Sequence, residues 1–566
     1  VAVWAASLTV SSRVGAPFTA AKWYVLTAAA LGGVFLHAAV RLPPGTSSFT
    51  RAHAAAVAAL AAVSAANVVT HGLAWSTEPA LARITFVAVA VCAFAVFHRN
   101  GDDTRLIARA LAVPLTIVVT IGLAQVTGLT LAWGLEPLFG LVGGDGQSAT
   151  FGNVNMAAQF VGFAAAFLIA HAVRDPAPRH PSTVLAAAVL VAASVAYIVS
   201  VGARSALLAL AAAVIVTAWL RPRAGRGRWR TRSVIAAAGV IIAALAVAAA
   251  SSAFTSPLKA ESVRLRARLW AQTVKLIADH PLGVGSGNFV HAFLPYQLAD
   301  DRLRSETVVY ASPHNEVLRA LAEEGIVWCA LAAYLLFRLG AAVRTRVRAG
   351  GGPGPPVVIA AGASFLAVEC LFQFPFALAF GTLAAALTLG LALSYAETAD
   401  AARTPTHRPW WIPRLAAFAL ASLAAVALAR VVLSDYWTAT TPGDAARQAR
   451  ACALNPRNFR ACLNAAWLDA SGGHRRRARQ RLAAILDRSP YYSPAIALLA
   501  DDAFAQGDAR AGCFYTWIYD ALFAGRSSRH DVLIARCPPP LVEGFAREVR
   551  VPGYERFPMT VPAAGP

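Results

Sequence analysis

Apolar runs rich in alanine, valine, leucine and isoleucine, each near the ~20 residues that cross a bilayer as a helix, recur as far as Leu433. They predict spans at Lys22–Val40, His53–Leu73, Ala80–Val96, Arg105–Gln125, Val154–His171, Val184–Ser200, Ser205–Leu220 and Ser233–Ser252. After a polar gap, further spans are expected at Ile326–Val343, Pro356–Leu371, Phe376–Tyr395 and Ile412–Leu433. These segments are apolar all round, whereas a soluble enzyme would need helices with one apolar stripe. The pattern predicts an all-α, polytopic helical bundle of about 12 full spans.

The polar gap Ala253–Glu324 is long for a connection, and connections of that length are usually functional. Within it, Ser262–Asp279 has helical period. Arg264, Arg268, Gln272, Lys275 and Asp279 share one narrow polar sector, while Val263, Leu265, Ala267, Leu269, Trp270, Val274 and Ile277 cover the rest. Such a helix suits the membrane surface. Arg266 breaks the pattern, falling among the apolar residues close in angle to Trp270 and Ile277. A charge turned to the apolar side needs a partner, and an anionic ligand is one candidate. Snorkelling to lipid headgroups is the other.

His280-Pro281 ends that helix, and Gly283-Val-Gly285-Ser-Gly287-Asn288-Phe289 follows. With no strand before it, the glycine run is a poor dinucleotide fingerprint and is read as a loop shaping a cavity floor. Next comes Ser312-Pro313-His314-Asn315-Glu316. Ser312 is expected to cap a helix, with Pro313 at its first position and His314 and Asn315 in its first turn. Such a terminus favours phosphate, and an imidazole can take a proton from a hydroxyl. A lone histidine at a helix start more often serves a cap or an interface, so the motif needs support from elsewhere. Glu316, Arg319 and Glu323 stand at ladder spacing on the same helix, as ordinary face ion pairs do. Arg204, in Ser200-Val-Gly202-Ala-Arg204-Ser205, marks the start of a span beside almost no other charge, and arginine binds phosphate oxygens in pairs. Asn153 and Asn155, in Phe151-Gly-Asn-Val-Asn, put two amides at the end of a neighbouring span.

Of the 566 residues only 14% are charged, against about 25% in a soluble protein. The net charge of +21 would suit nucleic acid, but its placement points to topology instead. Arg221–Arg232, Arg344–Arg348 and Arg403–Arg414 fill short connections separated by even numbers of spans, so the positive-inside rule makes all three cytoplasmic. The loop 253–324 and everything after Leu433 then lie outside. Tracing backwards, Val1–Val10 is expected to be the end of a truncated first span. Cys92, Cys329 and Cys370 lie in spans; Cys452, Cys462, Cys513 and Cys537 lie in the outer region, where disulfides form. Their spacing does not suit a zinc site.

Residues 1–433, including the outer loop, read as one membrane-embedded core and 434–566 as a second, α-helical domain. In the latter, Pro456 and Pro490, Ala461 and Ala495, Ala466 and Ala500, and Gly473 and Gly507 keep one 34-residue offset. This resembles tetratricopeptide repeats, in about two degenerate copies. The domain is either a surface gripping a partner or acceptor, or a structural cap.

In order, Gly152-Asn153-x-Asn155, Gly-Ala-Arg204-Ser, Arg266-x-x-x-Trp270, Asp279-His-Pro281-Leu-Gly283-Val-Gly285-x-Gly287-Asn-Phe289 and His314-Asn315-x-x-Leu318-x-x-x-x-Glu323-x-Gly325 resemble the O-antigen ligase/polymerase superfamily of bacterial membrane glycosyltransferases. The resemblance runs from Phe151 to Leu389. It implies an inverting, metal-independent enzyme with no cofactor, on the outer face of the bacterial inner membrane. Such enzymes move a glycan from an undecaprenyl-diphosphate carrier to an acceptor hydroxyl of lipid A-core, a growing polysaccharide or a protein. By position, Arg204 and Arg266 would hold the donor diphosphate, with Arg264 or Arg268 as substitutes if the helix bends. His314 would assist acceptor deprotonation or orient the diphosphate. Asn153, Asn155, Asn315, Glu323, Gly285 and Gly287 would line the site. The repeat domain departs from the family's minimal pattern and leaves the acceptor open. A lipid-linked glycan transporter would need ionisable residues at the midplane and paired broken helices; only Glu369, with Gln373 nearby, fits. A non-catalytic scaffold would leave the histidine and arginines unexplained.

Overall fold

A computed structural model describes residues 3, 4, 8, 20–39, 49, 52–71, 77–100, 104–129, 148–174, 181–220, 257–300, 302–306, 308–349, 354–396, 411–523 and 527–548. The described residues are helical, with no strand among them. The first seven helices are α1 (Ala20–Ala39), α2 (Ala54–Thr70), α3 (Thr77–Asn100), α4 (Thr104–Val126), α5 (Val154–Arg174), α6 (Pro181–Ser200) and α7 (Arg204–Trp219). The loop region holds α8 (Pro257–Asp279) and α9 (Phe289–Leu298), and the bundle resumes with α10 (Glu316–Arg348), α11 (Gly354–Phe372), α12 (Ala379–Ala396) and α13 (Trp411–Thr440). The C-terminal part comprises α14 (Ala445–Leu454), α15 (Phe459–Ser471), α16 (Arg475–Leu486), α17 (Ser493–Ala505), α18 (Ala509–Leu522), α19 (His530–Arg536) and α20 (Pro539–Glu548).

By length and apolar composition, seven described helices can cross a membrane, and four more apolar helices, Ala20–Phe35, Ala54–Thr70, Val184–Ser200 and Arg204–Trp219, are shorter. The chain is thus a polytopic helical membrane protein, in which seven of the described helices have the length and composition of full spans. Turns and breaks shorten several runs: α2 stops at Thr70, and Pro375–Ala377 forms a separate 3-10 turn before α12. The expected span at 233–252, most of 1–10, and the basic runs at 221–232 and 403–410 lie outside the described residues.

Helix α5 sits at the centre of the bundle, with Ala157, Ala158, Phe160, Val161 and Ala164 fully buried. Small residues let its neighbours approach, since lipid offers no hydrophobic drive between spans and packing must hold them. Gly162 faces the Phe365 ring so closely that a Cβ there would lie 2.8 Å from it. Helix α10 differs in two halves. Glu316, Ala322, Glu323 and Glu324 are buried, whereas Ile326, Leu336 and Phe337 point outward beyond a break at Gly325 (φ 84°, ψ 168°).

The expected domain boundary at Leu433 falls inside α13, which continues to Thr440. There Ser434 Oγ donates to Ala451 O at 2.7 Å, and Gln448 Nε2 donates to Trp437 O at 3.0 Å, so the C-terminal helices are built onto the end of a bundle helix. Phe459 and Ser493, and likewise Arg475 and Ala509, open helices 34 residues apart. Ala461, Ala466, Ala495 and Ala500 are buried at matching places. Disulfides join Cys452 to Cys462 and Cys513 to Cys537, while Cys92, Cys329 and Cys370 are free. Leu294 and Leu298 of α9 share a hydrophobic cluster with Tyr491, Ile496, Trp517 and Phe523. Loop and C-terminal helices therefore lie on one side of the bundle.

Candidate functional site

The tight turn after α6, with Gly202 at φ 66°, sends the chain straight into α7 and leaves Arg204 at its first position. Opposite it, α11 ends at Phe372 and exposes last-turn carbonyls that no helical N–H can reach. Two side chains from the segment between α7 and α10 satisfy them. Arg266 Nη1 donates to Phe372 O at 3.0 Å, and Asn315 Nδ2 donates to Leu371 O at 3.1 Å. Trp270, one turn along α8 from Arg266, donates its indole N–H to Pro313 O at 2.8 Å. So α8 and the 312–315 turn are tied to the same helix end.

The cap differs from expectation. Asn315 caps α10, accepting from Leu318 N at 3.0 Å, and the helix begins at Glu316. Ser312 Oγ accepts from His314 N at 3.2 Å, closing a local turn instead. His314 cannot sit in the first helical turn because its backbone is left-handed, φ 53°. A non-glycine residue held there costs conformational energy and is worth functional scrutiny. Its ring meets Phe374 edge-on at 5.2 Å.

The Gln373 side chain bonds the His314 imidazole, while Nδ1 is buried with no hydrogen-bond partner among the described residues. Gln373 Nε2 also donates to Ser205 Oγ at 3.3 Å, next to Arg204. Burial pushes the imidazole down from 6.5 to about 4, and the Arg266 charge pushes the same way against the Gln373 bond. His314 is thus neutral near pH 7, with an open nitrogen lone pair. Burial also lowers Arg266; Glu369 opposes this and Arg204 adds to it, which puts all three groups within electrostatic reach. Glu369 lies beneath, 1% exposed, taking a hydrogen bond from Gln159 Nε2 at 2.6 Å and leaving Oε1 without a partner.

Arg204, Arg266, His314 and Asn315 therefore converge. Arg264 and Arg268 do not: Arg264 is exposed and pairs with Glu261 at 3.8 Å, and Arg268 pairs with Asp300 at 3.4 Å. Asn153 caps α5, its Oδ1 accepting from Asn155 N at 2.9 Å, and Asn155 lies one turn from Gln159 on the same helix. Arg319 pairs with Glu316 in the buried half of α10, so this is not a solvated ladder.

The glycine loop is a brace rather than an open floor. Val284 N donates to Ala322 O at 2.8 Å, Gly285 N to Glu323 O at 3.0 Å and Ile326 N to Pro281 O at 2.9 Å, stitching the loop across the α10 break. A Cβ on Gly283 would lie 2.5 Å from Glu323 O. Glu323 Oε1 accepts from Phe289 N at 3.4 Å, and its backbone oxygen from Asn67 Nδ2 at 3.0 Å. Arg83 bonds Ser286 Oγ and pairs with Glu324. Gly285 abuts the His71 ring, and Gly287 abuts Arg457, which donates to Gly287 O. Sequence reasoning missed Gln159, Asn67, Arg83 and Arg457. Gln159 carried a signal, a lone amide inside an apolar span. Arg457, in a separate polar region, carried none.

None of the curated proteins compared with the chain matches it. Residues 186–335, which hold Arg204, Arg266 and His314, match the family model described as O-antigen ligase. That match covers most of α6, then α7 to α9 and α10 past the Gly325 break, supports the O-antigen ligase superfamily for this part of the chain, and points to glycan transfer in the membrane.

Proposed function

We propose that the protein transfers a glycan from an undecaprenyl-diphosphate carrier to an acceptor hydroxyl at the outer face of a bacterial inner membrane, in the manner of an O-antigen ligase. The observation that carries this reading is the open Nδ1 of a neutral His314 beside the Arg266 guanidinium, with Arg204 in electrostatic reach. Two guanidiniums suit a diphosphate, whose oxygens they can hold in pairs. In the reaction, the acceptor oxygen forms a bond to the anomeric carbon of the donor sugar. The carbon–oxygen bond to the diphosphate breaks, and undecaprenyl diphosphate departs with the electron pair. The hydroxyl proton passes to His314 Nδ1. Arg204 and Arg266 stabilise the charge that grows on the leaving diphosphate, which supplies the electrostatic part of catalysis without a metal or cofactor. A single displacement of this kind inverts the anomeric centre.

Topology supports the reading. The positive-inside pattern of the basic connections favours a periplasmic loop and C-terminal helices, and the four disulfide cysteines of that region suit an oxidising compartment. The acceptor is lipid A-core, a polysaccharide end or a protein. Proteoliposomes charged with undecaprenyl-diphosphate glycan and each acceptor in turn test this. Wild type should transfer to one acceptor class, and His314→Ala should lower the rate by ~100-fold or more. Equal transfer by the variant would remove His314 from the mechanism.

A further inference from the structure

A cavity lies in the C-terminal helices, well away in sequence from the arginine–histidine group. Its volume is about 340 Å³, and its walls include Phe459, Arg477, Gln480, Arg481 and Arg488 beside the Cys452–Cys462 disulfide. That volume is in the ~300–1,000 Å³ range of small-ligand sites. Three arginines and an amide line it beside Pro456 and Ala484, with the buried Phe459 behind. Arg481 is held by Asp469 at 2.8 Å, but Arg477 is exposed and Arg488 turns one nitrogen to Ala484 O. Helix α16, which supplies Arg477 and Arg481, carries Arg475, Arg476, Arg477, Arg479 and Arg481; Asp502 engages Arg475 and Arg479, Asp469 engages Arg481, and Arg488 follows just past the helix end. The lining itself contains no carboxylate.

The cavity wall also adjoins the loop between α7 and α10. Pro456 and Phe459 line it, and between them Arg457 donates to the Gly287 carbonyl of the glycine loop. Phe459 packs on His291 of α9 with ring centroids 4.8 Å apart. A ligand in the cavity would thus touch the same turn that grips the loop bracing α10.

We propose that this cavity binds an acidic saccharide, a sugar bearing a carboxylate or phosphate, and so serves as a recognition subsite for the glycan chain or its acceptor. The arginine forks recognise the anionic group, and the apolar part of the lining at Pro456 and Ala484 receives the carbon-rich side of a sugar ring. This rests on the glycan-transfer reading for its purpose, though not for the binding itself.

The test is calorimetric titration of the full chain in detergent with four probes: an oligosaccharide of glucuronic acid, a neutral glucose oligosaccharide of equal length, glucose 1-phosphate and inorganic phosphate. An acidic sugar should bind at least ~10-fold tighter than the neutral one, about the yield of one charge-assisted contact. Of the acidic probes, tighter binding of the uronic acid points to an acidic polymer, and tighter binding of the sugar phosphate to a phosphorylated core. Arg477→Gln with Arg488→Gln should weaken that binding ~10-fold or more while thermal unfolding and both disulfides stay as in wild type. His314→Ala should leave it unchanged, so failure of the transfer mechanism and failure of this subsite are told apart. Equal affinity for neutral and acidic sugars, binding of inorganic phosphate as tight as that of both acidic sugars, or undiminished binding by the double variant overturns the proposal.

Discussion

His314 is held in an unusual backbone conformation, φ 53°, with Nδ1 unpartnered and its pKa brought down to about 4, first by burial and then by Arg266. These facts bear directly on pH dependence. A base must be neutral to accept a proton, so kcat/KM should hold as pH falls from 7 and be lost as it falls through about 4. Arg266→Gln removes one of the two lowering influences, so the residual activity should lose its acid limb at higher pH, toward 6.5. A pH–rate profile of the variant checks this; a limb that stays put or moves down would separate Arg266 from His314. Much of this site was legible one residue at a time. Arg266 stood out because it left the polar sector of its helix, and its neighbours Arg264 and Arg268 face Glu261 and Asp300 instead. The cap was not legible: Ser312 and Asn315 are both good caps, and only the left-handed His314 between them decides which one starts the helix.

At the scale of elements, the break at Gly325 and the loop from Pro281 to Phe289 form one piece, joined by the backbone bonds of Val284, Gly285 and Ile326. Gly283→Ala would combine φ 89° with a Cβ 2.5 Å from a carbonyl oxygen. We expect a loss of ~1–3 kcal/mol in stability, read as a lower Tm in detergent, with transfer falling further than stability. An unchanged Tm would show that the loop accommodates a side chain. Asn315→Ala should cost about 1–2 kcal/mol, because the α10 cap and a partner of the Leu371 carbonyl go together. Hydropathy revealed most spans, since lipid imposes an all-round apolar pattern. It did not reveal where α13 ends, because helix formers continue past Leu433 after the apolar run stops. Nor could it show the loop's partner, a carbonyl some forty residues away whose identity leaves no mark on side-chain pattern.

At the scale of the whole molecule, the segment between α7 and α10 is clasped between bundle and C-terminal helices, with Leu294 and Leu298 in the C-terminal core and Arg457 on the glycine loop. His291 at this junction is brought from 6.5 to about 4 by burial and then by Arg457. The unfolded chain then binds this proton more readily, so the docked state is fully stable above pH 6.5 and weakens as pH falls toward 4. Tm should therefore drop on acidification through that window more in wild type than in His291→Gln; equal drops would place the sensitivity elsewhere. The docking was invisible in sequence because α9 is a short apolar helix whose pattern marks no face and names no partner. The central claim is that Arg204, Arg266 and His314 act together on a lipid-linked diphosphate donor. Its most direct test is glycan transfer from undecaprenyl-diphosphate donor in proteoliposomes, comparing wild type with Arg204→Ala, Arg266→Ala and His314→Ala at matched folded protein. The account predicts transfer by wild type and a loss of ~100-fold or more in each variant. Transfer at the wild-type rate by any of the three would contradict it.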